Sequence, residues 1–148
     1  MSTFEDILTR DGRLVFSTVG KSMLPLIREG KDLVVICPAP SALKRNDVIL
    51  YKRNDGQYVL HRIVAIRSDG LVTRGDNCCS KECHIQIGQV VGILQAVMKN
   101  GREILADSWQ FKLFAIVWMV SFPVRWFTLK ICSTSRKIKV TKRPRGVR

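Results

Sequence analysis

The sequence predicts a mainly β domain, a coiled sheet or partial barrel, followed by a hydrophobic C-terminal helix and a basic tail. Three observations predict it. Short strand-like runs recur between residues 14 and 105, separated by the turn pairs Asp55-Gly56, Asp69-Gly70 and Asn100-Gly101, the pattern of antiparallel strands joined by tight hairpins. No internal repeat and no low-complexity linker interrupts the chain before residue 133 or so. Charge is divided unevenly. Residues 1–108 carry 15 Lys/Arg against all 12 Asp/Glu, a net +3, whereas residues 109–148 carry the other 10 Lys/Arg and no acid, a net +10. The 148-residue chain therefore divides into a domain over 1–108, long enough to bury a core, a helix over 109–132 and a tail over 133–148.

In chain order, Ser2-Thr3-Phe4-Glu5-Asp6-Ile7-Leu8 reads as a short helix, with a hydroxyl to cap it and acids in the first turn where the helix dipole favours them. Asp11-Gly12 is a turn and Arg13 to Thr18 a strand. Leu33 to Ile36 is uninterruptedly apolar and fits a buried strand, ended by Pro38-Ala39-Pro40-Ser41. Asp47 to Lys52 and Gln57 to Ile66 form a hairpin about Arg53-Asn54-Asp55-Gly56. Ser68-Asp69-Gly70 turns into Leu71-Val72-Thr73, which leads to Gly75-Asp76. Ile85 to Met98 and Arg102 to Leu105 complete the strands.

The stretch of chemical interest is Gly20-Lys21-Ser22-Met23-Leu24-Pro25-Leu26-Ile27-Arg28-Glu29-Gly30. Its glycines let the backbone bend at both ends and Pro25 fixes its own φ, so Ser22 is a hydroxyl held in a turn, a nucleophile if a base reaches it. His61 lies on a strand and shares a face with Val59, Ile63 and Ala65. Apolar neighbours disfavour the imidazolium and keep a proton-accepting ring. Asp76, in Arg74-Gly75-Asp76-Asn77, has two readings: it accepts the second imidazole N–H, or it is a turn acid bonded to its own backbone. Asp32 and Asp47 read as structural turn acids, and Arg62 as a solvated or paired residue on the face opposite His61.

Taken in order, Ser22-Met23-x-Pro25, Asp47-Val48-x-x-Tyr51, His61-Arg62-Ile63-Val64 and Arg74-Gly75-Asp76-Asn77 resemble the signal peptidase I superfamily, which includes the self-cleaving SOS repressors. The resemblance runs from Leu14 to Val97. Histidine where bacterial housekeeping members carry lysine places it with the Ser-His, endoplasmic-reticulum-type branch. The resemblance implies a signal-peptidase-like catalytic domain with Ser22 as nucleophile, His61 as general base and Asp76 as orienting acid, with no cofactor. The Ser22 backbone N–H would serve an oxyanion hole. Many relatives place a hydroxyl two residues before the nucleophile, where this chain has Gly20. Relatives often carry a transmembrane segment before the serine; the short, charged segment here predicts that this anchor is missing, and no secretory signal is expected.

The remaining features bear on location. Five cysteines, Cys37, Cys78, Cys79, Cys83 and Cys132, an odd and unevenly spaced set, suit reduced thiols. The Cys78-Cys79…Cys83-His84 cluster lacks the second ligand pair of a closed zinc site, so no metal is expected. Uncharged residues 113–124 would make only about 18 Å of helix against a hydrocarbon core of about 30 Å. Residues 109–132, with Lys112, Arg125 and Lys130 snorkelling, would reach across. A kinked spanning helix, an in-plane anchor and a helix packed on the domain all stay open. The basic tail beside an apolar segment points to anionic lipid at a cytoplasmic surface, and no nucleic-acid-binding motif accompanies it. The sequence therefore predicts a membrane-associated serine endopeptidase that removes a signal or leader peptide from a precursor. Its alternatives are an inactive membrane-tethered peptide-binding module and a self-cleaving repressor, the latter without a helix-turn-helix.

Overall fold

The computed structural model describes residues 3–124 of the chain. A capped helix, α1 (Phe4–Asp11), opens the domain: Thr3 Oγ1 accepts from the Asp6 N–H and the Asp6 carboxylate accepts from the Thr3 N–H, a reciprocal capping box. Eight strands follow: β1 (Leu14–Ser17), β2 (Leu33–Cys37), β3 (Val48–Lys52), β4 (Tyr58–Arg67), β5 (Gly70–Arg74), β6 (Glu82–Ile85), β7 (Val90–Lys99) and β8 (Arg102–Leu105). They form one antiparallel sheet in the order β1-β2-β7-β3-β4-β5-β6, with β8 also on β7. The chain is thus mainly β, as its turn pairs predict. Asn100 and Gly101 both take positive φ between β7 and β8, the left-handed pair that a two-residue hairpin needs.

β7 organises the sheet. It pairs with β2 along Ile93–Met98, with β3 along Val90–Ile93 and with β8 along Ala96–Lys99. One predicted element needs correction here. The run from Ile85 to Met98 is not one strand: Ile85 ends β6, Ile87–Gln89 forms a 3-10 turn, and β7 begins at Val90. The turn is closed by Gln86 and Gln89, the Gln86 N–H donating to Gln89 Oε1 at 2.8 Å.

β3 is buried throughout from Val48 to Tyr51 because apolar clusters cover both faces of the sheet here. Val48, Leu50 and Leu60 join one core with Leu14, Met23, Ile27, Val34, Ile36 and Val97. Ile49, Tyr51 and Ile63 join a second with Leu71 and Ile85. Alternation along β4 therefore turns His61 and Ile63 to the second core and Leu60 and Arg62 to the first. This parity decides the geometry of the site.

The described part of the predicted C-terminal helix is α2 (Trp109–Val120), followed by a turn at Ser121 and helical residues 122–124. Among the described residues no helix is long and apolar enough to cross a membrane. The rest of the predicted 109–132 segment and the 133–148 tail lie outside the described residues.

Candidate active site

The Ser22 turn leaves β1 through Gly20, whose positive φ and N–H bond to Glu29 Oε1 (2.7 Å) set the bend. Met23, Leu26 and Ile27 are buried in the first core and pin the turn from beneath. The Leu24–Pro25 peptide is cis. At the far end Asp32, fully buried, accepts the Arg28 N–H at 2.8 Å and the Arg28 guanidinium at 2.6 Å, the structural part that the sequence assigns to it. Asp47 likewise closes a turn, accepting the Lys44 N–H at 2.8 Å.

The Arg74–Asn77 loop presses on Ser22. The Asn77 N–H donates to the Ser22 carbonyl at 2.7 Å, and Asn77 Nδ2 donates to the Lys21 carbonyl at 3.1 Å. A Cβ on Gly75 would stand 2.7 Å from the Ser22 carbonyl oxygen and 3.0 Å from Ser22 Cβ. Only glycine permits that approach. The Arg-Gly-Asp-Asn string is therefore the seat of Ser22, although the two segments lie more than fifty residues apart in sequence.

Ser22 and His61 line the same cleft, about 490 Å³, together with Phe16, Gly20, Tyr58, Cys78 and Glu82. Among the described residues the two side chains are not hydrogen-bonded to each other. His61 is 7 % exposed, and burial lowers its pKa, opposed by the nearby Glu82 carboxylate, so the ring is a neutral base near pH 7. Its Nδ1 lies 3.3 Å from Tyr51 Oη and 3.5 Å from Glu82 Oε1. Thr73 Oγ1 donates to Tyr51 Oη at 3.2 Å, and burial pushes the pKa of the Tyr51 hydroxyl well up. Arg53 grips Glu82 with Nε at 2.9 Å and with Nη2. Those bonds hold the Glu82 carboxyl below its ordinary pKa. An ionised carboxylate only accepts hydrogen bonds, so the Glu82 carboxylate favours the tautomer protonated at Nδ1, in which Nε2 carries the lone pair.

Asp76 goes elsewhere. Its two oxygens take Arg62 Nε and Nη2, both at 2.8 Å, and Arg62 Nη1 donates to the Asn46 carbonyl at 2.9 Å. Both side chains of the pair are buried. The reason is strand parity: Arg62 follows His61 and so faces the other side of the sheet. The acid set within ion-pair distance of the imidazole is instead Glu82, which sequence reasoning missed together with Tyr51. Tyr51 sits two residues beyond Ile49, the register partner of His61, so cross-strand geometry could have found it; nothing in the Lys81-Glu82-Cys83 string marks Glu82.

The outer face of the sheet carries α2. Phe111 lies under the Arg62 guanidinium at 5.8 Å, Arg74 stands over the Phe122 ring at 3.4 Å, and Trp118 Nε1 donates to the Asp76 carbonyl at 2.8 Å. Cys37, Cys78, Cys79 and Cys83 are free thiols, burial raising the Cys78 pKa. His84 pairs with Asp69 at 3.0 Å. Among the described residues no group of three or more His, Cys, Asp or Glu is placed to hold a metal ion.

Comparison of the chain with family models, with curated proteins and with solved structures finds no match in any of the three.

Proposed function

We propose that the chain is a serine endopeptidase of signal-peptidase type that cuts a signal or leader peptide from a precursor. We place it at the cytoplasmic face of a membrane, held by residues 109–148. The observation that carries the reading is the shared cleft: Ser22 and His61 line it together while Tyr51 and Glu82 engage the far nitrogen of the ring.

In this reading His61 Nε2 takes the Ser22 Oγ proton as Oγ attacks the scissile carbonyl carbon. The oxyanion forms by the Ser22 backbone N–H, and collapse breaks the C–N bond as the imidazolium returns its proton to the leaving amine. Water, deprotonated by His61, then attacks the acyl ester and frees Ser22 and a carboxylate product. Glu82 and Tyr51 hold the tautomer, the part first given to Asp76. Asp76 instead clamps the loop beneath Ser22 through Arg62. The second reading is a peptide-binding module without turnover, which the same cleft also fits.

Cleavage of a diverse peptide library in detergent, read by mass spectrometry, separates the two. Cuts by wild type that vanish in both Ser22→Ala and His61→Ala establish the peptidase. Peptide retention without cuts establishes the binding module, and cuts that survive both substitutions refute the dyad.

A further inference from the structure

α2 is apolar on two opposite faces. Phe111, Phe114, Ala115 and Trp118 pack inward, Phe114 stacking on Trp118 at 5.4 Å between ring centroids. Among the described residues nothing packs on the other face: Trp109, Leu113, Ile116, Val117 and Val120 are 50–76 % exposed. At about 100° per residue these five form one stripe roughly 100° wide, nearly opposite the packed one, with Gln110 and Lys112 along its borders. Five exposed apolar side chains in a single stripe mark a docking face rather than scattered surface residues.

We propose that α2 lies in the plane of an anionic bilayer, its outer stripe in the headgroup–acyl boundary and its inner face still seated on the Arg74–Asn77 loop. The inference deepens the membrane part of the proposed function, on which it rests for the partner, and selects among the three states that the sequence left open. Charge complementarity identifies the occupant. From residue 109 onward the chain holds ten Lys/Arg and no acid, which draws the segment to anionic headgroups, and Trp109 suits the interface. Seating on the domain argues against spanning. To cross a bilayer, α2 would surrender the Trp118–Asp76 bond and the Phe111 and Phe122 contacts to Arg62 and Arg74, exposing the buried Arg62–Asp76 pair. The same contacts put the bilayer-held helix one hydrogen bond from the loop that seats Ser22.

The full chain would be mixed with vesicles of phosphatidylcholine alone or with phosphatidylglycerol added. Wild type should bind the anionic vesicles, and Leu113→Glu/Val120→Glu should weaken binding by about a hundredfold without changing the lipid-free melting temperature. In Trp109→Phe/Trp126→Phe, the remaining Trp118 should escape quenching by lipids brominated at any depth. Trp118 quenched by bromines at the chain ends, binding unaffected by the double substitution, or no binding by wild type overturns the proposal. A lipid-free dimer that the double substitution dissolves overturns it too, assigning the stripe to a second copy. Ser22-dependent cleavage, assayed without vesicles, tests the peptidase reading separately, so either can fail alone.

Discussion

Glu82→Gln tests how the imidazole is tuned. The substitution keeps shape and hydrogen-bonding atoms while deleting the charge 3.5 Å from His61 Nδ1. Unit charges at that separation attract by about 5 kcal/mol at an effective dielectric of about 20 and by about 1 kcal/mol in bulk water. Glu82 is 26 % exposed and already shared with Arg53, so the stabilisation of an imidazolium forming in the transition state falls towards the lower figure. About 2 kcal/mol corresponds to a loss in kcat of about 30-fold. The same charge opposes the burial that lowers the His61 pKa. Its removal lowers that pKa further, and because the neutral ring is the active form, the acidic limb of kcat/KM moves to lower pH while the plateau falls. The assay is a pH–rate profile of Glu82→Gln beside wild type on a peptide found in the library screen. A plateau within about twofold of wild type with an unmoved limb would refute the assignment of Glu82.

Asp76→Asn leaves the buried Arg62 guanidinium without its counter-charge and should cost about 3–5 kcal/mol, lowering the melting temperature by roughly 10–20 °C. Lost activity at an unchanged melting temperature would instead return Asp76 to the imidazole. Gly75→Ala drives a methyl group into the Ser22 carbonyl and should reduce kcat about 10- to 100-fold by displacing the nucleophile; full activity would refute the seat described for Ser22. Trp118→Phe removes the donor to the Asp76 carbonyl and should lower kcat with KM unchanged, whereas a change confined to KM would place α2 in substrate binding. Stability should fall with pH in two stages, followed by urea denaturation at several pH values. His61 has a folded pKa below its ordinary value of about 6.5, so the unfolded chain takes the proton first and stability drops as pH falls below that value. Burial raises the Asp32 pKa but the Arg28 hydrogen bonds outweigh it, and Arg53 lowers that of Glu82. Their contributions are present above about pH 4 and disappear as pH falls through their depressed pKa values. His61→Gln should abolish the first stage and leave the second.

The strands were legible because each is a local fact: an apolar run of β-branched residues bounded by Gly turns. α1 was legible for the same reason, its capping residues being neighbours. β6 was not, since only Ile85 in Glu82–Ile85 is buried; the strand exists because its backbone pairs with β5, and no side-chain pattern records that. The break at Ile87–Gln89 was hidden among apolar residues that continue the strand-like composition. Ser22 and His61 stood out through motif order. The acid beside the imidazole did not, because proximity to the ring is set by which face of the sheet an acid reaches. Asp76 follows β5 directly and looked well placed, but its carboxylate turns to the Arg62 face. Glu82, six residues further on, returns to the His61 face.

That division separates two ways of disturbing the site. On one face of β4 lie His61, Tyr51, Thr73 and Glu82, whose charges and hydrogen bonds set the proton affinity of the base. On the other lie Arg62, Asp76, Phe111 and Trp118, tied to one another by hydrogen bonds and a ring contact and joined through Asp76 to Gly75 and Asn77, which press on Ser22. A perturbation on the first face alters the strength of the base and so displaces the pH limb. One on the second that leaves the Asp76 charge in place alters where the hydroxyl sits and changes rate with little movement of the limb, whereas the Asp76 charge itself raises the His61 pKa. Gly75→Ala and Trp118→Phe therefore belong together in kinetic signature although one contacts Ser22 and the other lies on α2, and Glu82→Gln differs from both. A lipid effect carried from α2 through Trp118 to the Asp76 carbonyl should show the second signature.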